Sequence, residues 1–192
     1  MRTTLPTFDR EILELAPLAA RKSNLGIDDI LPKYKSGFKT NSFKIVAEKI
    51  TKARSQKASV VLMMGAHVLR AGVQRYLIDM MEKGQISCVA LNGAGVIHDF
   101  EFALIGATTE DVTHYIKDGR FGFWKETSYI NDIVSSGAEK NMGLGEAVGH
   151  VIEKERFLHR KISVLAAGYR LNIPVTVHVS IGYDIVYQLG FC

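Results

Sequence analysis

The sequence predicts an α/β protein built on a mainly parallel sheet of nucleotide-binding type, with helices on both faces. Three observations predict it. Ala58–Met64 (ASVVLMM), Ile86–Leu91 (ISCVAL) and Ile173–Ser180 (IPVTVHVS) are nearly continuous apolar runs of strand length, the signature of strands buried on both sides. Segments with helical spacing of apolar residues separate them. The first two runs also end in glycine, at Gly65 and in Asn92-Gly93-Ala94-Gly95. Strands that alternate with helices pair in parallel through crossovers, and right-handed crossovers place those helices on both faces.

Taken in order, residues 1–40 read as an irregular basic extension broken by Pro6, Pro17, Gly26, Pro32 and Gly37. Residues 41–192 read as one domain. Asn41-Ser42 reads as a cap for a helix with Phe43, Val46, Ala47, Ile50 and Ala53 on one side. After the first strand, His67–Lys83 reads as a single helix stopped by Gly84. Beyond the second strand a short helix is expected over His98–Leu104, and Thr108/Thr109 with Glu110-Asp111 reads as the opening of another. Phe121–Ser136, Leu144–Phe157 and Ile162–Leu171 follow as helices. Gly143-Leu-Gly145-x-x-x-Gly149 has no strand before it and reads as a packing device. Pro174 is tolerable at a strand start, and Trp124 with its neighbours Phe121 and Phe123 reads as core.

Composition is that of an ordinary globular chain, with 47% apolar and 23% charged residues. No run approaches the roughly 18 apolar residues of a membrane span, and the first residues lack the apolar stretch of a signal peptide. Two cysteines, Cys88 and Cys192, make no disulfide framework, so a reducing, cytoplasmic setting is expected. Residues 1–57 carry 12 Lys/Arg against 6 Asp/Glu, whereas residues 58–192 carry 12 against 14. The basic part has no nucleic-acid motif and reads as a solvated face plus an arm, so neither nucleic acid nor membrane is an expected partner.

Chemistry concentrates in Leu91–Glu101 (LNGAGVIHDFE), which lies at the carboxyl edge of the sheet, where open α/β folds bind ligands. Gly93 and Gly95 allow close backbone approach, and the helix start after them favours an anionic group. Asn92, His98, Asp99 and Glu101 add polar groups to the same stretch. The plainer reading is a tight turn in which Asp99 is a cap. Two other loops reach the same edge: Gly65-Ala66-His67, and Ser180–Asp184 with His178 in the strand before it. His178 alone reads as a core histidine. Convergence of three loops makes a crevice with several polar groups, the usual ligand site. No metal-ligand spacing and no phosphate-loop, metalloprotease or nucleophile-elbow motif occurs.

The run MMGAHVLRAG…LIDMMEKGQISCVALNGAGVIHDFE, followed by IPVTVHV and Gly-Tyr-Asp, resembles the deoxyhypusine synthase family, in its bacterial, synthase-like branch, from about residue 58 onward. The resemblance implies a Rossmann-like domain, bound NAD and a homotetramer with sites between subunits. It implies NAD-dependent transfer of an aminoalkyl group from a polyamine such as spermidine, through an imine on an enzyme lysine, to an acceptor protein. Carried over residue by residue, it places His67, Asn92, Gly93, Ala94 and Gly95 at the cofactor. His98, Asp99, Glu101 and Asp184 then fall at the catalytic centre. Ala66-His67 stands where the family has Ser-Asn, and His98 falls where it has glutamate. The family's Trp-Gly-Lys segment, which supplies the imine lysine, lies beyond Cys192, so a shortened relative or a fragment is expected. A non-catalytic NAD- or polyamine-binding relative remains an alternative. So does an isomerase or hydrolase that uses His98 and Asp99 as acid and base.

Overall fold

A computed structural model of the chain describes residues 13–33, 40–180 and 182–188. In chain order its elements are β1 (Ser23–Gly26), α1 (Asn41–Ser55), β2 (Val61–Met64), α2 (Ala66–Arg70), α3 (Gln74–Glu82), β3 (Cys88–Asn92) and α4 (Gly93–Ile105). There follow β4 (Ala107–Glu110), α5 (Val112–Tyr115), α6 (Lys125–Glu139), α7 (Leu144–Lys154), α8 (Val164–Leu171) and β5 (Val175–His178).

The three apolar runs form one parallel sheet in the order β2-β3-β5. Met63, Ala90 and Thr176 share one register line, and Met64, Leu91 and Val177 the next. Because side chains alternate across a strand, this register sends Leu62, Met64, Val89, Leu91, Val175 and Val177 to one face. There they join the main core with Phe100, Val148, Ile152 and Leu165. Among the described residues the helical cover lies on that face and not on both as expected, because the order β2-β3-β5 advances in one direction and right-handed crossovers then leave both helical connections on one side. The alternate residues Val61, Met63, Thr176 and His178 are exposed, so His178 is no core histidine; its Nε2 lies 3.0 Å from Thr176 Oγ1.

Several boundaries differ from expectation for tertiary reasons. The helix expected over His67–Lys83 breaks into α2 and α3 at Gly72, whose φ is +75°. A Cβ there would lie 2.2 Å from the Asp29 carbonyl oxygen, and Leu31 N–H donates to the Gly72 carbonyl. Only glycine admits this contact with the N-terminal segment. Residues 107–110 form a strand rather than a helix start, paired antiparallel with β1 in the register Ser23↔Glu110 and Leu25↔Thr108. The N-terminal region is therefore not irregular throughout, and Leu18 and Ile30 are buried. Its residues 1–12 and 34–39 lie outside the described residues. The true cap of α1 is Thr40, which accepts the Phe43 N–H, and α1 carries no buried residue. Trp124 packs edge-on against Tyr115, centroids 5.0 Å apart, and with Leu18 makes a small second core. Among the described residues no helix is long and apolar enough to cross a membrane.

The glycines of 143–149 have separate roles. Gly143 caps α7. A Cβ on Gly145 would lie 2.0 Å from the Val175 carbonyl oxygen, and one on Gly149 2.3 Å from that of Leu165. Helix α7 therefore meets β5 and α8 backbone to backbone, and backbone cannot move aside as a side-chain tip can. Gly149→Ala should cost about 1–3 kcal/mol by overpacking. Gly143→Ala, where an added Cβ meets nothing within 4 Å, should lose only the cap preference for glycine, about 0.5 kcal/mol. Urea unfolding of the two variants checks the contrast; equal midpoints would remove the packing role.

Candidate functional site

Three chain segments meet at the carboxyl edge of the sheet. β3 runs directly into α4, and Asn92 holds the junction: its Oδ1 accepts the N–H of Gly95 and that of Ala66, each at 3.1 Å. One side chain thus caps α4 and anchors the start of α2. Gly93 is buried beneath residues 184–187. A Cβ on it would lie 2.7 Å from Asp184 Oδ2 and 3.0 Å from the Tyr187 ring, and Tyr187 O–H donates to the Gly93 carbonyl. Gly95 packs on Leu91, where a Cβ would sit 2.5 Å from a leucine methyl. The first glycine admits a neighbouring segment, the second admits the strand's own side chain. Burial pushes the Asp184 carboxyl up and the Tyr187 phenol up further.

Beside this junction lies a cavity of about 440 Å³. Its walls include Ala94, His98 and Glu101 from α4, Arg70 from α2, Glu110 from β4, and Asp184. His67 is exposed and is not part of the cavity wall; its Nε2 is 3.0 Å from Arg70 Nη1. Glu101 lies deepest. Arg21 grips it with two bonds, Nη1 to Oε1 at 2.6 Å and Nη2 to Oε2 at 2.8 Å. The hydroxyls of Thr108 and Thr127 complete its shell at 2.6 and 2.9 Å. His98 Nδ1 lies 2.7 Å from Thr108 Oγ1. Burial, opposed by Glu101 and reinforced by Arg70, Arg21 and His67, holds the His98 imidazole down at about 4.

Asp99 stands elsewhere. It is 1% exposed and accepts the Ser163 hydroxyl and the N–H groups of Val164 and Leu165 at the start of α8. Burial outweighs these donors and raises its carboxyl to about 6. Its work is to dock α8 on α4, and no acid–base pair with His98 exists.

Of the residues singled out from sequence, Ala94, His98, Glu101 and Asp184 border the cavity. Asn92, Gly93 and Gly95 build the junction beside it. Arg21, Arg70, Thr108, Glu110 and Thr127 were missed; Arg21 and Thr127 gain their roles from Glu101, 80 and 26 residues away in sequence, and Thr108 from Glu101 and His98 across the turn between α4 and β4. Thr109 had one mark visible only in three dimensions. A β-branched residue at φ +65° is a strained conformation of the kind found at binding sites. Among the described residues its buried Oγ1, like the buried Arg70 Nε, has no hydrogen-bond partner, and both residues line the cavity.

Residues 44–172 match the family described as arginine dihydrolase ArgZ-like, C-terminal, Rossmann fold. The chain belongs to this family. Among solved structures it is similar to apo ArgZ, an arginine dihydrolase from the ornithine-ammonia cycle in cyanobacteria, at 20% identity and a TM-score of 0.50. The match covers 79% of this chain and 20% of that one. It is also similar to a conserved protein from Methanococcus maripaludis S2 described as LOR/SDH, at 21% identity and a TM-score of 0.49. That match covers 95% of this chain and 49% of the other. The chain thus spans about a fifth and about half of those two proteins, and the likeness is one of fold. No curated protein matches it.

ArgZ-like membership overturns the resemblance to deoxyhypusine synthase, and with it the transfer of an aminoalkyl group from spermidine, the imine lysine and the polyamine-binding alternative. The reason is physical. A buried strand, a glycine turn and a helix are what any parallel nucleotide-type sheet requires at this edge, so NGAGVIHDFE carries fold and not reaction.

Two measurements probe this site. Arg21→Met leaves Glu101 buried without its cation and should cost about 3–5 kcal/mol, a fall of roughly 6–20 °C in Tm for a chain of this size. Arg21→Met with Glu101→Leu should recover part of the loss, because an apolar pair tolerates burial better than a single charge. A double variant no more stable than the single one would contradict this. The second concerns pH. His98 titrates lower in the folded chain than its ordinary 6.5, so its contribution to stability is fully present above pH 6.5 and is lost as pH falls through 4. His98→Gln should flatten that acid limb in urea titrations at successive pH values; an unchanged limb would show that His98 is not protonated on unfolding.

Proposed function

We propose that this chain is the dinucleotide-binding domain of an ArgZ-like protein, with NAD held across the carboxyl ends of β3 and β5. The observation that carries the reading is the direct passage from buried β3 through Gly93 into α4, a helix of 13 residues. The first N–H groups of a helix have no partner within it. Asn92 takes that of Gly95, and the others suit a pyrophosphate, aided by the helix dipole. Ala94, small and at the cavity wall, leaves room beside the helix start, whereas Asp184 and Tyr187 fill the space over Gly93. Asp184 now lies against Gly93, at the end of α4 that favours an anion, and its charge opposes a second anion there. The cofactor would bring hydride chemistry; the chain's own part is to bind, orient and exclude water. The arginine dihydrolase activity belongs to ArgZ as a whole, and in this reading the present chain contributes the nucleotide-binding part of such a protein.

Saturating NAD at about 100 times Kd stabilises a folded chain by about 2.7 kcal/mol, or roughly 5–10 °C in Tm. Asp184→Asn removes the opposing carboxylate and should tighten binding several-fold. Ala94→Glu places a carboxylate at the helix start and should abolish the shift while leaving the unliganded Tm nearly unchanged. Differential scanning fluorimetry of the three proteins decides. No NAD-dependent shift in either the parent or Asp184→Asn would sink the proposal.

A further inference from the structure

The cavity beside the glycine turn holds one group whose protonation can be read from hydrogen-bond counting alone. Arg21 can only donate, and it donates to both oxygens of Glu101, so Glu101 is present as the carboxylate and can only accept. The hydroxyl of Thr108, 2.6 Å from Glu101 Oε2, must therefore spend its single proton there. Its oxygen is left as an acceptor, and the 2.7 Å contact to His98 Nδ1 is an Nδ1–H donating to Thr108. A neutral imidazole has one N–H, so Nε2 is bare. Among the described residues no protein group bonds to Nε2, and His98 lines the cavity.

We infer that a buried relay of Arg21, Glu101 and Thr108 locks His98 in its Nδ1–H tautomer, so that Nε2 is a fixed hydrogen-bond acceptor for a small ligand carrying an O–H or N–H group. Arg21, Glu101 and Thr108 are positioning residues, and His98 is the one that meets the ligand. An alcohol or amine satisfies the bare nitrogen. A carboxylate or phosphate oxygen there would set lone pair against lone pair, so anions are excluded at this point of the cavity. The charges that face the ring come from several elements: Glu101 on its own helix, Arg70 and His67 on α2, and Arg21 on the N-terminal segment. Asp184 borders the same cavity. With desolvation, the surrounding cations oppose formation of the imidazolium, so the acceptor persists at mildly acidic pH. The inference rests on the cavity itself and stands or falls apart from NAD binding.

Long-range proton–nitrogen NMR on the full chain labelled at histidine tests it. At pH 7 His98 should show a protonated Nδ1 and a bare Nε2, and it should keep that pattern at pH 5.5, where exposed histidines are mostly charged. Thr108→Val should bring in the Nε2–H tautomer, whereas Thr108→Ser should preserve the parent pattern, a split that a merely structural threonine would not produce. Ethanolamine, which carries both donors, should move the Nε2 resonance; acetate should not. An Nε2–H tautomer in the parent chain overturns the relay, and this outcome does not depend on any variant folding. An Nε2 resonance that responds to acetate and not to ethanolamine, or to neither, overturns the ligand class.

Discussion

The arrangement depends on one buried ion pair. Glu101 sits on a helix packed against the sheet, and a carboxylate at that depth is tolerated only with its charge matched and its lone pairs filled. Arg21 supplies the charge with both ends of its guanidinium, and Thr108 and Thr127 supply the remaining donors. Those four residues come from the N-terminal segment, α4, β4 and α6. Satisfying one carboxylate therefore joins four parts of the chain and holds β1 against β4. The Trp124 ring, with Arg21 Cζ 5.7 Å from its centroid, closes the other side. Because the pair has a single good geometry, it also fixes where Thr108 lies and hence which way the His98 ring turns.

Next to this rigid part is a junction of different character. Asn92 ties the first turns of α2 and α4 together, and residues 184–187 rest on Gly93 through contacts that need its missing side chain. A carboxylate at the start of a helix is electrostatically favoured, yet burial raises the Asp184 carboxyl, and among the described residues no hydrogen bond compensates it. The helix start is thus suited to an anion and is only poorly served by the one the chain itself provides. Arg70 Nε and Thr109 Oγ1 repeat that pattern in the cavity wall, each buried without a partner among the described residues. Unmet polar groups of this kind, gathered around one space, make this wall the part of the cavity least satisfied by the protein's own described groups.

Asp99 and Glu101 show why adjacency in sequence misleads. They stand one and three residues after His98 on α4, and both look available for acid–base work when the sequence is read as a line. A helix turns 100° per residue, so one carboxylate faces α8 and caps it while the other faces β4 and Arg21. The resemblance to deoxyhypusine synthase failed for a related reason. It was carried by the strand, the glycine turn and the helix start, which the parallel fold demands of many families, and not by residues that meet a substrate.

By itself the sequence determined the three parallel strands, the glycine turn at the end of β3, and the helical cover, because continuous apolar runs and helical periodicity are local consequences of burial. The close-packing role of Gly145 and Gly149 was legible for the same reason, as a spacing of small residues on one helix face. Tertiary structure alone decided the rest. The strand at 23–26 exists because Glu110 and Thr108 lie opposite it, and the break at Gly72 exists because Asp29 comes within contact of it. Arg21 becomes part of the site because Glu101, 80 residues away in sequence, needs a cation once it is buried. Pairings across such separations leave no periodicity in the chain, since they are set by which surfaces meet after the local elements have formed.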